Sequence, residues 1–399
     1  MRRQATVGPA RPGTGRRTSM ETELPGGDAS AMKGAQGSQL TRREFLRLAG
    51  YGLGGLAIGD PGNPSGRQDS QGGEQLGRVV QRGLELKLRP DPTSRTLDVL
   101  PEDAVVTWLR EVVASPPAYR WNWRWVETPT GYLYGSMIQP VHNSPNSPML
   151  SLPEADWGQG IWVEVSVPYV DLILDNPPAR SPWIKAKLEQ GLPPRLYYSQ
   201  IMWLDRITAD GEGQILYRLK EPYGSYGDIF WARGEAFRPM SVEEMEPINP
   251  DVEDKRIVVD NSKQTLACFE GETEIYYCTV STGVKFDPQG QPLERSSTPL
   301  GVHPIWRKLV SVHMSGGTTG GGWDLAGVGW TTLFVGNGVA VHSTFWHNNF
   351  GVPMSRGCVN ARPRDAKWVF RWTNPIVSYL PGDVTVSMPG GTPVEVVET

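Results

Sequence analysis

The sequence predicts a predominantly β protein, and three observations carry that prediction. Short apolar runs alternate with polar residues and are punctuated by turn formers. Glycine (46), proline (35) and tryptophan (15) are plentiful among the 399 residues, which favours short strands joined by turns over long helices. In the C-terminal part only the segment PRDAKWVFRW (363–372) has helical spacing, with Pro363 suited to the first turn. Hydrophobic residues at 38% and charged residues at 21% allow a globular core and exclude wholesale disorder, and the length points to two or three domains. The charge is uneven: residues 1–50 hold 9 Lys and Arg against 4 Asp and Glu, and the remainder holds 30 against 39. A net acidic body argues against a general nucleic-acid binder, because it has no excess of cations to displace phosphate counterions. No run of about 18 apolar residues is present, so a classical membrane span is not expected.

The elements follow in order. Residues 1–75 read as an address and a linker. The stretch SQLTRREFLRLAGYGLGGLAI (38–58) sets Arg42 and Arg43 before Phe45, Leu46 and a mildly apolar, glycine-softened run. It resembles a twin-arginine export signal, and implies an exported, extracytoplasmic protein. The competing reading is an amphipathic surface helix with a chance arginine pair. A small-residue cleavage site is indistinct after Ile58, which leaves retention as an anchor open. Residues 60–75 are a flexible linker by composition.

Residues 76–140 form short β-rich runs (GRVVQRGLELKLRP, DVLPEDAVVTWLREVV, YRWNWRWVET, GYLYGSMIQPV). Trp121, Trp123 and Trp125 alternate with polar residues, so a strand there places all three indoles on one face. That face is either the packed side of a small barrel, the favoured reading, or a stacking platform for sugar rings. The layout resembles a bacterial SH3-like domain, which implies docking on the cell wall. A Pro, Ser and Asn-rich loop (140–160) precedes a second small β module at 155–245, with a hairpin turn at Asp210, Gly211 and Gly213. The acidic, proline-punctuated run 239–255 marks the last boundary.

The C-terminal unit, 255–399, opens with two alternating runs flanking Glu270, Gly271 and Glu272, a β-hairpin. Cys268 and Cys278 fall on its two arms. In the expected registers they are diagonal, about 7 Å or more apart, so both read as buried small hydrophobes, with a bridge the minority reading. Cys358 differs, because it sits in a turn directly after Gly357. A nucleophilic cysteine needs a thiolate, a base and amide donors for an oxyanion. Gly357 allows successive N–H groups around Arg356 to Cys358 to converge, and Arg356 is expected to depress the thiol pKa. The nearest base is His342, at the end of the apolar strand 338–341.

The segment VHSTFWHNNFGVPMSRGCVN, with RIVVDNSKQTLACFEG and TPLGVHP upstream, resembles the L,D-transpeptidase catalytic domain of bacterial cell-wall enzymes over residues 255–390. The resemblance implies a β-sandwich-like catalytic domain behind small SH3-like barrel modules. It implies Cys358 as nucleophile, His342 as general base oriented by the carbonyl of Ser343, and Ser355, Gly357 and Asn360 shaping the acyl and oxyanion site. Arg356 stands where many members have histidine. The implied reaction passes a tetrapeptide stem through a Cys358 thioester to a neighbouring stem's amine, forming a 3→3 cross-link. No cofactor is implied, and carbapenems are the expected inhibitors. Water as acceptor would make the protein an L,D-carboxypeptidase, a protein lysine as acceptor would itself become attached to the wall, and a degenerate domain would leave a wall-binding scaffold.

The glycine-rich stretch at 316–322 lacks the strand, helix and lysine of a phosphate loop. It reads as a mobile lid over the cleft, with Trp323 or Trp330 as a gate and His313 and Met314 beside it, or as a plain flexible hairpin. Four of the five histidines fall in 303–347, but His342 and His347 are five apart and carboxylates are scarce nearby, so no metal site is expected. His347 is assigned to the cleft rim or surface.

Overall fold

The computed structural model describes residues 74–154, 159–286, 291, 293, 296–316 and 323–399. The export-signal reading at 38–58 and the glycines at 317–322 lie outside the described residues. From Ser70 onward the chain forms one compact unit, predominantly β. Among the described residues, no helix is long and apolar enough to cross a membrane.

The first eight strands are β1 (Leu76–Val79), β2 (Leu84–Lys87), β3 (Thr96–Leu100), β4 (Val105–Thr107), β5 (Arg110–Val113), β6 (Arg124–Thr128), β7 (Gly131–Tyr134) and β8 (Ile138–Val141). They make a three-stranded sheet, β4-β1-β8, and a five-stranded one, β3-β2-β7-β6-β5. Leu86, Trp108, Val126, Leu133 and Ile138 form the small core between them. The three-indole face is corrected here. Strand β6 begins only at Arg124, so the alternation does not extend back to Trp121. Trp125 is buried, edge-on to Tyr134, whereas Trp121 and Trp123 are 78% and 54% exposed.

Strands β9 (Ile161–Val165), β10 (Tyr169–Asp171), β11 (Ile173–Leu174), β12 (Arg195–Tyr197), β13 (Ile201–Ala209), β14 (Ile215–Lys220), β15 (Phe230–Arg233) and β16 (Phe237–Pro239) follow. Six of them form the sheet β11-β15-β14-β13-β9-β16, and β10 pairs with β12. The hairpin at Asp210 joins β13 to β14, with Gly213 at φ +78°. Helix α1 (Pro182–Glu189) was not read from the sequence, although Ser181 as N-cap and Pro182 at the first position are its start signals. Both units end in the same way, a strand, a three-residue 3₁₀ turn and a last strand: Gly135–Met137 before β8 and Gly234–Ala236 before β16.

The remaining strands are β17 (Lys255–Asp260), β18 (Thr265–Glu270), β19 (Thr273–Thr279), β20 (Gly301–Pro304), β21 (Arg307–Gly316), β22 (Trp323–Val335), β23 (Val339–Ser343), β24 (Val359–Ala361), β25 (Asp383–Thr385) and β26 (Pro393–Val397). They build two five-stranded sheets, β19-β18-β17-β26-β20 and β24-β23-β22-β21-β25. Helix α2 (Pro363–Trp372) packs on β22 and β23, burying Ala366, Val369, Phe370 and Trp372. Its last carbonyls are satisfied by the buried Lys308, whose Nζ donates to Phe370 O (2.5 Å), Thr373 O and Pro375 O (both 2.7 Å). The register pairs Cys268 with Tyr276 and Cys278 with Leu266, so the two cysteines are diagonal, buried and free. The boundary at 239–255 separates sheets but not cores. Trp162 and Trp203 of the middle sheet belong to the same apolar cluster as Ile257, Val341 and Phe370, and Trp162 Nε1 donates to Tyr379 O at 2.8 Å.

Candidate active site

Strand β23 lies between β22 and β24, and it runs parallel to β24 with His342 paired to Asn360 and Val341 to Val359. Registered partners on neighbouring strands project to the same face, so His342 and Asn360 stand side by side. Cys358 is the residue just before β24. The turn that delivers it is held from below. Ser355 Oγ donates to Cys358 O and accepts from Gly357 N–H (3.2 Å), while Thr298 Oγ1 donates to Gly357 O (2.8 Å). Gly357 has φ +116°, and a Cβ there would sit 3.1 Å from Val339 Cγ2, so the position requires glycine. The Gly357 amide is engaged by Ser355, so it does not join the convergence of amides expected from the sequence.

His342 is 2% exposed, and its Nδ1–H donates to Ser343 O at 2.9 Å. That bond sets the tautomer and leaves Nε2 as the basic atom. The ring stacks on Trp346, with centroids 5.6 Å apart. Burial holds the imidazole pKa down at about 4, against a smaller opposing effect of the Ser343 carbonyl. Burial also raises the Cys358 thiol, and only the Ala340 amide opposes it. The sulfur is in no disulfide, and its S–H points to Gly338 O at 3.8 Å. At rest the pair is therefore neutral thiol and neutral imidazole. The expected depression of the thiol by Arg356 does not occur, because the exposed guanidinium instead lies over the Trp323 ring, 4.9 Å from its centroid.

His342 and Cys358 open onto one cavity of about 210 Å³. Of the other residues read from the sequence, Met314, Trp323, Ser355, Arg356 and Asn360 line it. Leu325, Trp346 and Met354 line it too and were not singled out; an aromatic three to four residues past the base was the only available signal, and it is a weak one. Gly357 and Ser343 act from behind the wall.

Three positions are corrected. Trp330 is not a gate: it is 1% exposed and packs edge-on against Phe370 under α2. His313 does not face the cavity. It is clamped between two carboxylates, with Nδ1 2.7 Å from Glu221 Oε2 and Nε2 bonded to Asp324 Oδ1, which joins the middle module to the β21–β22 hairpin. The carboxylates take opposite ring nitrogens, so the three do not converge on one ion; among the described residues no metal-ligating group of three or more is present. His347 is buried rather than at the rim, held between Asn349 N–H and the Asn360 carboxamide.

Comparison with known proteins places this geometry. Residues 254–396 match the YkuD family model, an L,D-transpeptidase catalytic domain, and the site just described falls within them. The sheets of residues 255–397 are thus those of an L,D-transpeptidase-like catalytic domain. Among solved structures, the chain is similar to an L,D-transpeptidase from Enterococcus faecium at 22% identity, covering 37% of this chain and 51% of that one, with a TM-score of 0.27. It is also similar to one from Mycobacterium smegmatis (19% identity, 49% and 90% covered, TM-score 0.29). A third, LdtMt1, was solved in complex with imipenem (17% identity, 63% and 100% covered, TM-score 0.28). This chain spans about half the length of the enterococcal protein. A search of curated proteins finds no match.

Proposed function

We propose that the protein is an exported peptidoglycan L,D-transpeptidase that forms 3→3 cross-links through a Cys358 thioester. The observation that supports this most is the shared cavity of Cys358 and His342, with Nδ1–H tied to Ser343 O so that Nε2 is left to take a proton. His342 Nε2 accepts the thiol proton as the sulfur attacks the donor stem carbonyl at its diamino acid. The tetrahedral oxyanion collapses, the imidazolium returns the proton to the departing D-alanine amine, and a thioester remains. The acceptor amine then attacks, gives a proton to His342, and expels the sulfur, which recovers that proton. Amide bond energy passes through the thioester, so no nucleotide is consumed. The neutral resting pair suits this sequence, since the proton moves only as the sulfur attacks.

The Arg356–Trp323 stack bridges the nucleophile turn and the tip of the β21–β22 hairpin, which gives Trp323 the place of a movable flap. The two strand–3₁₀–strand endings and the exposed Trp121 and Trp123 favour SH3-like modules that dock on wall glycans. Export by the twin-arginine route rests on the sequence at 38–58. Digested wall from cells expressing the protein is expected to contain 3→3 dimers, and a Cys358→Ala variant none. Imipenem is expected to add one mass equivalent at Cys358. Cross-linking by the alanine variant, or no adduct on the wild type, would overturn the assignment. Tripeptide as the sole product from a tetrapeptide offered with excess amine acceptor would make the enzyme a carboxypeptidase.

A further inference from the structure

His347 and Asn360 carry an inference about how the acyl site is oriented, and it rests on the acyl-transfer reading above. The Asn349 backbone N–H donates to His347 Nδ1 at 3.1 Å, so Nδ1 is an acceptor and bears no proton. The ring is 4% exposed and neutral, its pKa held at about 3 by burial, with His342 adding to the effect. A neutral imidazole carries one proton, which must then be on Nε2. Nε2 lies 2.8 Å from one terminal atom of the Asn360 carboxamide. The other terminal atom is buried without a protein partner, and Asn360 lines the cavity that holds Cys358.

An N–H facing an NH₂ has no acceptor between the two groups, so the carboxamide takes the orientation in which Oδ1 receives the Nε2–H. The NH₂ is then the end left over. We propose that His347 is a positioning residue: its Nε2–H holds the oxygen of Asn360, so that the amide NH₂ is presented to the acyl cavity and donates to an oxygen of the bound acyl donor. Only an acceptor satisfies that end, and on a peptide donor the acceptors are its carbonyl and carboxylate oxygens. No protein group is hydrogen-bonded at that buried end of the carboxamide, so its bonding capacity is unspent until the donor peptide arrives. The same row of groups starts from a main-chain amide, Asn349, which makes the polarity a property of the fold rather than of pH.

Nitrogen-15 NMR of the full chain labelled in histidine tests the polarity directly. The expected result is the Nε2–H tautomer for His347, persisting on acidification to about pH 4; an Nδ1–H tautomer or an ordinary titration near 6.5 overturns it. Stopped-flow acylation by imipenem tests its use. Asn360→Asp, which offers only acceptors, is expected to lose about 100-fold in acylation rate. His347→Gln, which still offers an N–H, is expected to retain most of the rate, and His347→Leu to lose about 10-fold with the folded thermal transition preserved. Equal rates for the Gln and Leu variants would overturn the positioning role. On acylation of the wild type, the Asn360 side-chain NH₂ signals are expected to shift; unshifted signals in a fully acylated sample would place the donor elsewhere. Failure of the wild type to acylate at all would refute the enzyme reading, while the tautomer measurement would still decide the orientation.

Discussion

The buried His313 clamp makes a prediction that links module docking to pH. The ring sits between Glu221 at the end of β14 and Asp324 at the start of β22, with Tyr226 edge-on to it. Asp324 also accepts from Ser181 Oγ (2.7 Å) and Trp183 N–H (2.8 Å) at the start of α1, and Glu221 accepts from Gly327 N–H (2.6 Å). Burial lowers the His313 pKa, but the two carboxylates outweigh it and raise the value to about 9. A raised folded pKa stabilises the fold fully below the unfolded value of about 6.5 and loses that contribution as pH climbs through 9. Two and a half units at about 1.4 kcal/mol each give between about 3 and 4 kcal/mol, with little solvent screening because the side chain is 3% exposed. The assay is urea unfolding of the wild type and His313→Gln at pH 6.5, 8 and 9.5. The stability difference between them is expected to shrink by about 3 kcal/mol over that window. A difference that stays constant with pH would show that His313 is not protonated in the fold and would refute the clamp. Because Met314, Trp323 and Leu325 of the same hairpin line the cavity shared by Cys358 and His342, the proposed acylation by imipenem is expected to slow over the same window in the wild type.

Three further outcomes are expected. Arg356→Ala removes the cation over Trp323, worth about 0.5–1 kcal/mol at an exposed site, and should raise KM for the acyl donor about three-fold with kcat little changed. Gly357→Ala forces a side chain into a left-handed backbone against Val339 and should cost about 1–3 kcal/mol in denaturant melts, with imipenem acylation lost in the folded fraction. Trp121→Ala and Trp123→Ala, on exposed indoles outside β6, should weaken pull-down by insoluble wall while stability stays within about 0.5 kcal/mol of wild type; unchanged pull-down would remove these residues from the docking surface.

Much of the site was legible along the chain, because local covalent constraints write it there. A glycine directly before Cys358 signals a left-handed turn, and the apolar run before His342 signals a buried strand, and both are found. The helix at 363–372 and the hairpin around Gly271 follow from spacing alone. The failures are of one kind. From the sequence, Trp330 is expected at the cleft as a gate and His347 at its rim or the surface, because local pattern does not say which face of a sheet α2 or the 344–350 segment will cover. The electrostatic expectation for Arg356 failed in the same way, since its guanidinium found an aromatic ring from a hairpin more than thirty residues upstream.

The linear order thus determined the strand class, the glycine turn before Cys358, and the strand that carries His342. Tertiary structure alone decided which histidine serves which task. His342, His313 and His347 share one chemistry and a short stretch of chain. They are separated by what burial brings against each: one main-chain carbonyl, two carboxylates from different modules, or an amide and a carboxamide in series. Proton affinity and tautomer depend on those neighbours, and they are contributed by residues up to about ninety positions away in the chain.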